Sequence, residues 1–259
     1  MTRSGGAASR SSAASVLPDL VYPFRDTCGS EELRYSLRSM AQNAGGLFGT
    51  VWIVGEPPEW SANVQRIGHR DLADKVQDFR SRVNAAANHP GVSPKFLLMN
   101  DDIYLARKAT RFSTFHSGPA SEHYARMAAK GVDPAWLACF KATMDWMADR
   151  GHHAMLTRQG HRPLLWDKAK LAAVLAEYPQ DRPLDVVGLY DEAGAGDVVG
   201  TLAPNMKVNN SRQYHAKISA LDVCPWLSSS DESFRDGLIG GHVRALFPKP
   251  SRYEKGRPA

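Results

Sequence analysis

The sequence predicts an α/β protein: an open, mostly parallel sheet flanked by helices, followed by a helical and irregular C-terminal half. Three observations predict it. Short β-branched and aromatic runs alternate with helical-period segments through the first hundred residues, the order that parallel sheets require. With 259 residues, 43% of them hydrophobic, the chain can bury one large core. No apolar run approaches the roughly 20 residues that span a bilayer, so no membrane span is expected.

The elements follow in order. Asp19 to Phe24 reads as a first strand and Arg25 to Gly29 as a polar turn. Ser30 offers an N-cap oxygen, and Glu31 and Glu32 suit the positive end of a helix. Leu33, Leu37, Met40 and Ala44 recur at helical spacing, and Gly45-Gly46 ends the pattern. TVWIVG (50–55) is a second strand stopped by Pro57-Pro58, and Val64 to Ile67 a short third. Residues 72–88 are helical up to Pro90-Gly91, and Lys95 to Met99 form a buried strand. Asp133-Pro134 starts a helix through N-cap and N1 chemistry. Trp136, Leu137, Phe140, Met144 and Met147 form its apolar face. Asp167 caps another helix, with Leu171, Val174, Leu175 and Tyr178 on one face. Residues 185–203 are expected to be a hairpin or irregular loops.

Charge and cysteine usage narrow the class. The formal charge is +5, but residues 1–16 and 248–259 carry six basic and one acidic side chain, leaving 17–247 formally neutral. The body is not a basic nucleic-acid-binding domain by composition. Residues 1–16 lack an apolar h-region and read as a disordered tail, and 248–259 as a basic flexible tail. Cys28, Cys139 and Cys224 are odd in number and far apart, which argues against a disulfide framework and for a cytoplasmic setting.

The segment KFLLMNDDIYL (95–105) sets Asn100, Asp101 and Asp102 between two apolar runs. A buried ionised carboxylate needs a partner or a cation. Adjacent aspartates at a strand tip suit Mg²⁺ or Mn²⁺, hard cations that take oxygen ligands and share substrate phosphates. The same residues also suit a strand-end turn.

Four segments in order, EELRYSLRSM (31–40), TVWIVGEPPEW (50–60), VQRIGHRDL (64–72) and VSPKFLLMNDDIYL (92–105), resemble the second block of the Stealth-type sugar-phosphate transferases. That family includes bacterial capsule enzymes and the GlcNAc-phosphotransferase of lysosomal targeting. GHRPLLWDKAKLAAVLAEYP (160–179) resembles its third block. The arrangement is also similar to short proteins of actinobacterial phages described as glycosyltransferases. The family's first block, ending TWVDGSD, has no counterpart; DLVYPFRDTCGS stands in its place.

The resemblance implies a GT-A-like domain over 17–247 that moves a sugar, or a sugar 1-phosphate, from a nucleotide diphosphate-sugar to a hydroxyl acceptor. The acceptor would be a glycan, a protein or a hydroxymethylated DNA base. Asp101 and Asp102 would hold Mn²⁺ or Mg²⁺, with Asp102 also catalytic and Asn100 holding the turn. Arg34, with Glu32 and Tyr35 beside it, would clamp donor phosphate, or Arg34 would pair with Glu31 or Glu32. Arg25 and Asp26 lie where such folds hold base or ribose, or are turn residues. His161 is the candidate base or metal ligand, or a structural histidine. His116, Asp231 and Glu232 are acceptor-side candidates, the last two competing with a helix start capped by Ser230. The alternative functions are a metal-dependent phosphodiesterase and a non-catalytic sugar- or nucleic-acid-binding protein.

Overall fold

The computed structural model describes residues 16–26, 29–196, 198–201, 205–221, 223–235 and 237–256. Its first half contains β1 (Asp19–Pro23), α1 (Glu31–Asn43), β2 (Val51–Val54), β3 (Gln65–Ile67), α2 (Lys75–Asn88) and β4 (Lys95–Leu98). Then come β5 (Ile103–Leu105), β6 (Thr114–His116), α3 (Ala120–Ala129), α4 (Pro134–Asp149), β7 (Leu164–Asp167) and α5 (Lys168–Glu177). The last part holds α6 (Tyr190–Ala193), β8 (Val198–Thr201), β9 (Asn205–Val208), α7 (Ser211–Leu221), β10 (Trp226–Ser229), α8 (Asp231–Arg235) and α9 (Leu238–Leu246).

The main sheet has the order β3-β2-β1-β4-β7. The first four strands are mutually parallel, whereas β7 runs antiparallel to β4, Leu98 pairing with Leu164. The sheet is therefore mixed rather than mostly parallel. β7 leads directly into α5, where Asp167 accepts from Lys170 N.

Both faces of this sheet are covered, which is why its central strands read as continuous apolar runs. Val21, Trp52, Val54, Phe96, Leu98 and Trp166 belong to one core with α2, α4 and α5. Leu20, Tyr22, Ile53 and Leu97 belong to a second with Leu33, Leu37 and Met40 of α1. Each fully buried Leu, Val or Phe contributes roughly 1.5–3 kcal/mol of transfer free energy. A third core, under α8 and α9, joins Tyr104, Leu227, Phe234, Ile239 and Val243.

The C-terminal half departs from its expected helical and irregular character. It contributes β9 and β10 to a sheet of order β5-β10-β9, and β8 pairs with β6. Val186–Leu189 is a 3₁₀ turn rather than a hairpin arm. Ser30 does not cap α1: it adopts φ 60°, its hydroxyl donates to Gly29 O, and its oxygen accepts from Trp60 Nε1. The expected cap at Asp133 holds, accepting from Ala135 N, and Asp74 caps α2 by accepting from Gln77 N.

Residues 248–256 are no flexible tail. Ser251, Tyr253 and Glu254 are buried. Arg38 grips Glu254 through two bonds of 2.9 and 2.7 Å and donates to Phe247 O at 3.0 Å. Tyr253 O and Trp60 O accept backbone bonds that tie the segment to the loop after β2. Lys, Arg and Pro content masked one apolar anchor, Tyr253, and one acidic anchor. The expected tail over 1–16 lies outside the described residues except for Val16. Among the described residues, no helix is long and apolar enough to cross a membrane.

Candidate functional site

The β4–β5 segment explains the acidic triplet. The chain leaves the main sheet at Leu98, turns through Asn100, Asp101 and Asp102, and enters the small sheet at Ile103. Two apolar runs flank the carboxylates because each belongs to a different sheet. The turn sits at the C-terminal edge of β4, beside the C-terminal edge of β1. From β1 the strand order proceeds outwards to β2 and β3, and on the other side to β4. This is the switch point of the sheet, where open α/β folds hold ligands.

Three elements close on the turn. One cleft is lined by Arg25 and Asp26 after β1, Glu32 of α1, Asp101, and Asp231 of α8. An adjoining cleft adds Asn100 and Asp102. A third space, reached through Asn100, holds His161 and Arg162 from the loop before β7.

The electrostatics are those of crowded anions. Burial, then the charges of Asp102, Glu32 and Asp231, raise the Asp101 pKa to about 7. Burial, with Asp102 and Asp231, pushes Glu32 to about 7 as well, although Ser229 and Tyr104 stabilise its charged form. Ser229 Oγ donates to Glu32 Oε1 at 2.5 Å and Tyr104 OH at 3.3 Å. Lys207 meets the cluster directly, its Nζ 3.2 Å from Asp102 Oδ2. The other oxygen, Asp102 Oδ1, is buried and has no hydrogen-bond partner. An orphaned carboxylate oxygen in a field of like charges is chemically suited to a hard cation. Among the described residues, no three Asp, Glu, His or Cys side chains form a ready-made cage. Mg²⁺-type ions are commonly held by one or two carboxylates plus water and substrate phosphates, so the donor set fits such an ion.

His161 adopts φ 43°, a left-handed conformation that costs a non-glycine residue roughly 1–2 kcal/mol. Its neighbours hold it there. Arg158 bonds to Asp191 and to Leu156 O, and Gln159 Nε2 donates to both oxygens of Asp185 at 2.9 and 2.8 Å. Surrounding protein and Lys207 lower the His161 pKa, with Asp102 opposing. The side chain is exposed at the cleft mouth, so it keeps part of its water and the shift is smaller than full burial would produce. The direction keeps the imidazole neutral at pH 7.

Arg82, buried behind the cleft, braces the edge. It donates to Phe24 O and Val54 O and pairs with Asp78 and Asp71. Gly55, at φ 137°, lies against Phe24 O and Arg82 Nη1, leaving no room for a Cβ.

The structure thus brings together Arg25, Asp26, Glu32, Asn100, Asp101, Asp102, Asp231 and, through Asn100, His161. It does not bring in the others. Arg34 stacks over Trp60 at 4.7 Å and faces Glu254 at 3.9 Å. Neither Glu31 nor Glu32 is its partner; Glu31 pairs with Arg244. Tyr35 packs against Phe234 and under Arg38. His116 accepts from Gly118 N within the β6–β8 pair. Glu232 is exposed in the first turn of α8, where Ser233 N bonds to Ser230 Oγ. Lys207, Ser229 and Tyr104 belong to the site and carried no sequence signal of their own. No protein-family model matches the chain, and no curated protein matches it.

Proposed function

We propose that the chain is a metal-dependent transferase that moves a sugar, or a sugar 1-phosphate, from a nucleotide diphosphate-sugar to a hydroxyl acceptor. The observation that carries this reading is the anionic turn at the switch point: Asp102 with an orphaned buried oxygen, beside Asp101 and Glu32. The resemblance to sugar-phosphate transferases over 31–105 supports the same reading.

Asp101 and Asp102 would hold Mn²⁺ or Mg²⁺, with Asp231 at the same cleft. The ion supplies charge neutralisation on the diphosphate of the donor. Arg25, whose Nη1 bonds to Leu72 O, presents a cation on the wall shared by both clefts. Lys207 holds Asp102 in place and offers a second cation to developing negative charge. His161, neutral and open at the cleft mouth, takes the acceptor's hydroxyl proton on its free ring nitrogen. Asn100 links the two spaces.

Product analysis tests the proposal. Incubation with nucleotide diphosphate-sugars and Mn²⁺ should release a nucleoside diphosphate if sugar is moved, or a nucleoside monophosphate if sugar 1-phosphate is moved. Chelation should stop release in both cases. Release of neither, with hydrolysis of a phosphodiester substrate instead, would assign the carboxylates to phosphodiesterase chemistry.

A further inference from the structure

A second groove adjoins the His161 space through Arg162, and its charge is opposite to that of the acidic clefts at the turn. It lies along the loop between β5 and β6, LARKATRFSTF (105–115), which contains three basic residues and no acidic one. This contrasts with the formally neutral body around it. Arg107, Lys108 and Arg111 are exposed, and among the described residues their side chains make no hydrogen bond or ion pair. The loop is fixed on either side of Arg107 and Lys108: Ala106 N donates to Pro225 O and Ala109 N to Asn43 O. The groove encloses about 270 Å³, with Phe112, Phe115 and Trp226 among its walls. Arg162 lies over the Phe115 ring at 5.0 Å and lines both this groove and the His161 space.

We propose that this groove binds the phosphate backbone of a single-stranded nucleic acid and leads a hydroxyl-bearing unit to His161. The inference rests on the transferase reading for the role of His161, not for the binding itself. Three unpaired cations on an anchored loop meet consecutive phosphates without breaking existing ion pairs. Aromatic walls between cations are the pattern by which single strands are held without base readout. A concave space of this size admits a nucleotide unit, whereas a duplex would contact only its rim. The acidic clefts on the far side of His161 repel the same strand and so set its direction.

The test is fluorescence anisotropy of a labelled single-stranded oligonucleotide, with the full chain, from 50 to 200 mM salt. Three phosphate contacts predict a loss of affinity of roughly twentyfold across that range. The triple variant R107A/K108A/R111A should bind at least tenfold more weakly at 50 mM and lose most of the salt dependence. The basic terminal residues are common to both proteins, so the difference reports the groove. An unchanged melting temperature shows the variant is folded; R107E/R111E provides a second probe if it is not. Equal binding of duplex, unchanged binding by both variants, or full displacement by a few millimolar inorganic phosphate would each overturn the inference. Absence of oligonucleotide binding while donor turnover persists on a glycan overturns it and leaves the transferase reading standing.

Discussion

Replacing Asp101 with Asn should stabilise the metal-free protein at alkaline pH. A carboxyl held at about 7, rather than near its ordinary value close to 4, costs the ionised native state up to ~4 kcal/mol. That repulsion is shared with Asp102, Glu32 and Asp231, and nearby water screens it, so deleting one charge recovers about 1–2 kcal/mol. For a chain of this size the gain is roughly 2–8 °C in Tm. The sign follows from proton binding. Between pH 4 and 7 the native carboxyl holds a proton that the unfolded chain releases, so native stability falls as pH rises through this window. The advantage of Asn is therefore full above pH 7 and vanishes towards pH 4. The assay is a thermal melt in EDTA at pH 4.5 and pH 8, wild type against variant. With Mn²⁺ in place of EDTA the order should reverse, because binding to the native state raises the wild-type Tm. A variant less stable than wild type at pH 8 in EDTA, or equally stabilised at both pH values, refutes the reasoning.

Other consequences are as specific. His161→Gln should lower kcat by roughly 10²–10⁴ with donor affinity kept; a loss of Mn²⁺ affinity instead would make it a ligand. Because His161 is already neutral, activity should rise with pH through about 7 as Glu32 and Asp101 ionise for the metal, and a pH–rate profile in saturating Mn²⁺ should shift that limb downwards. Glu254→Gln, which leaves Arg38 buried without its counter-charge, should cost about 3 kcal/mol or more by denaturant titration, and deletion of 248–259 should cost at least as much. Gly55→Ala should be destabilising by several kcal/mol or yield no soluble protein, since the added Cβ overlaps Phe24 O at a positive φ.

Much of the site was legible in one run of residues. Hydrophobic period and the Gly and Pro breaks located β1, α1, β2, α2 and β4 to within a few residues, and the parallel order placed Asp101 and Asp102 at the C-terminal edge of β4. Local rules failed where a partner far along the chain decides the outcome. Ile103, Tyr104 and Leu105 look like a continuation of β4, yet they pair with Trp226–Ser228. Nothing within ten residues of Lys207 announces that its ammonium meets Asp102. Arg34 shows the converse: the resemblance of its segment and its place early in α1 suggest a phosphate clamp, but its contacts are the indole of Trp60 and the docked Glu254. Residues 248–256 were misjudged because a charged, proline-containing stretch is held by three buried side chains rather than by a periodic face.

The central claim, that the turn at 100–102 binds a divalent cation together with a nucleotide diphosphate-sugar, is tested most directly by titration calorimetry. A panel of nucleotide diphosphate-sugars is titrated into the chain with Mn²⁺ and with EDTA, for wild type and Asp102→Asn. At least one donor should bind wild type tenfold or more tightly with Mn²⁺ than without it, and the variant should lose that enhancement while keeping its fold. Donor binding that is equal in EDTA, or an enhancement undiminished in Asp102→Asn, would contradict the claim.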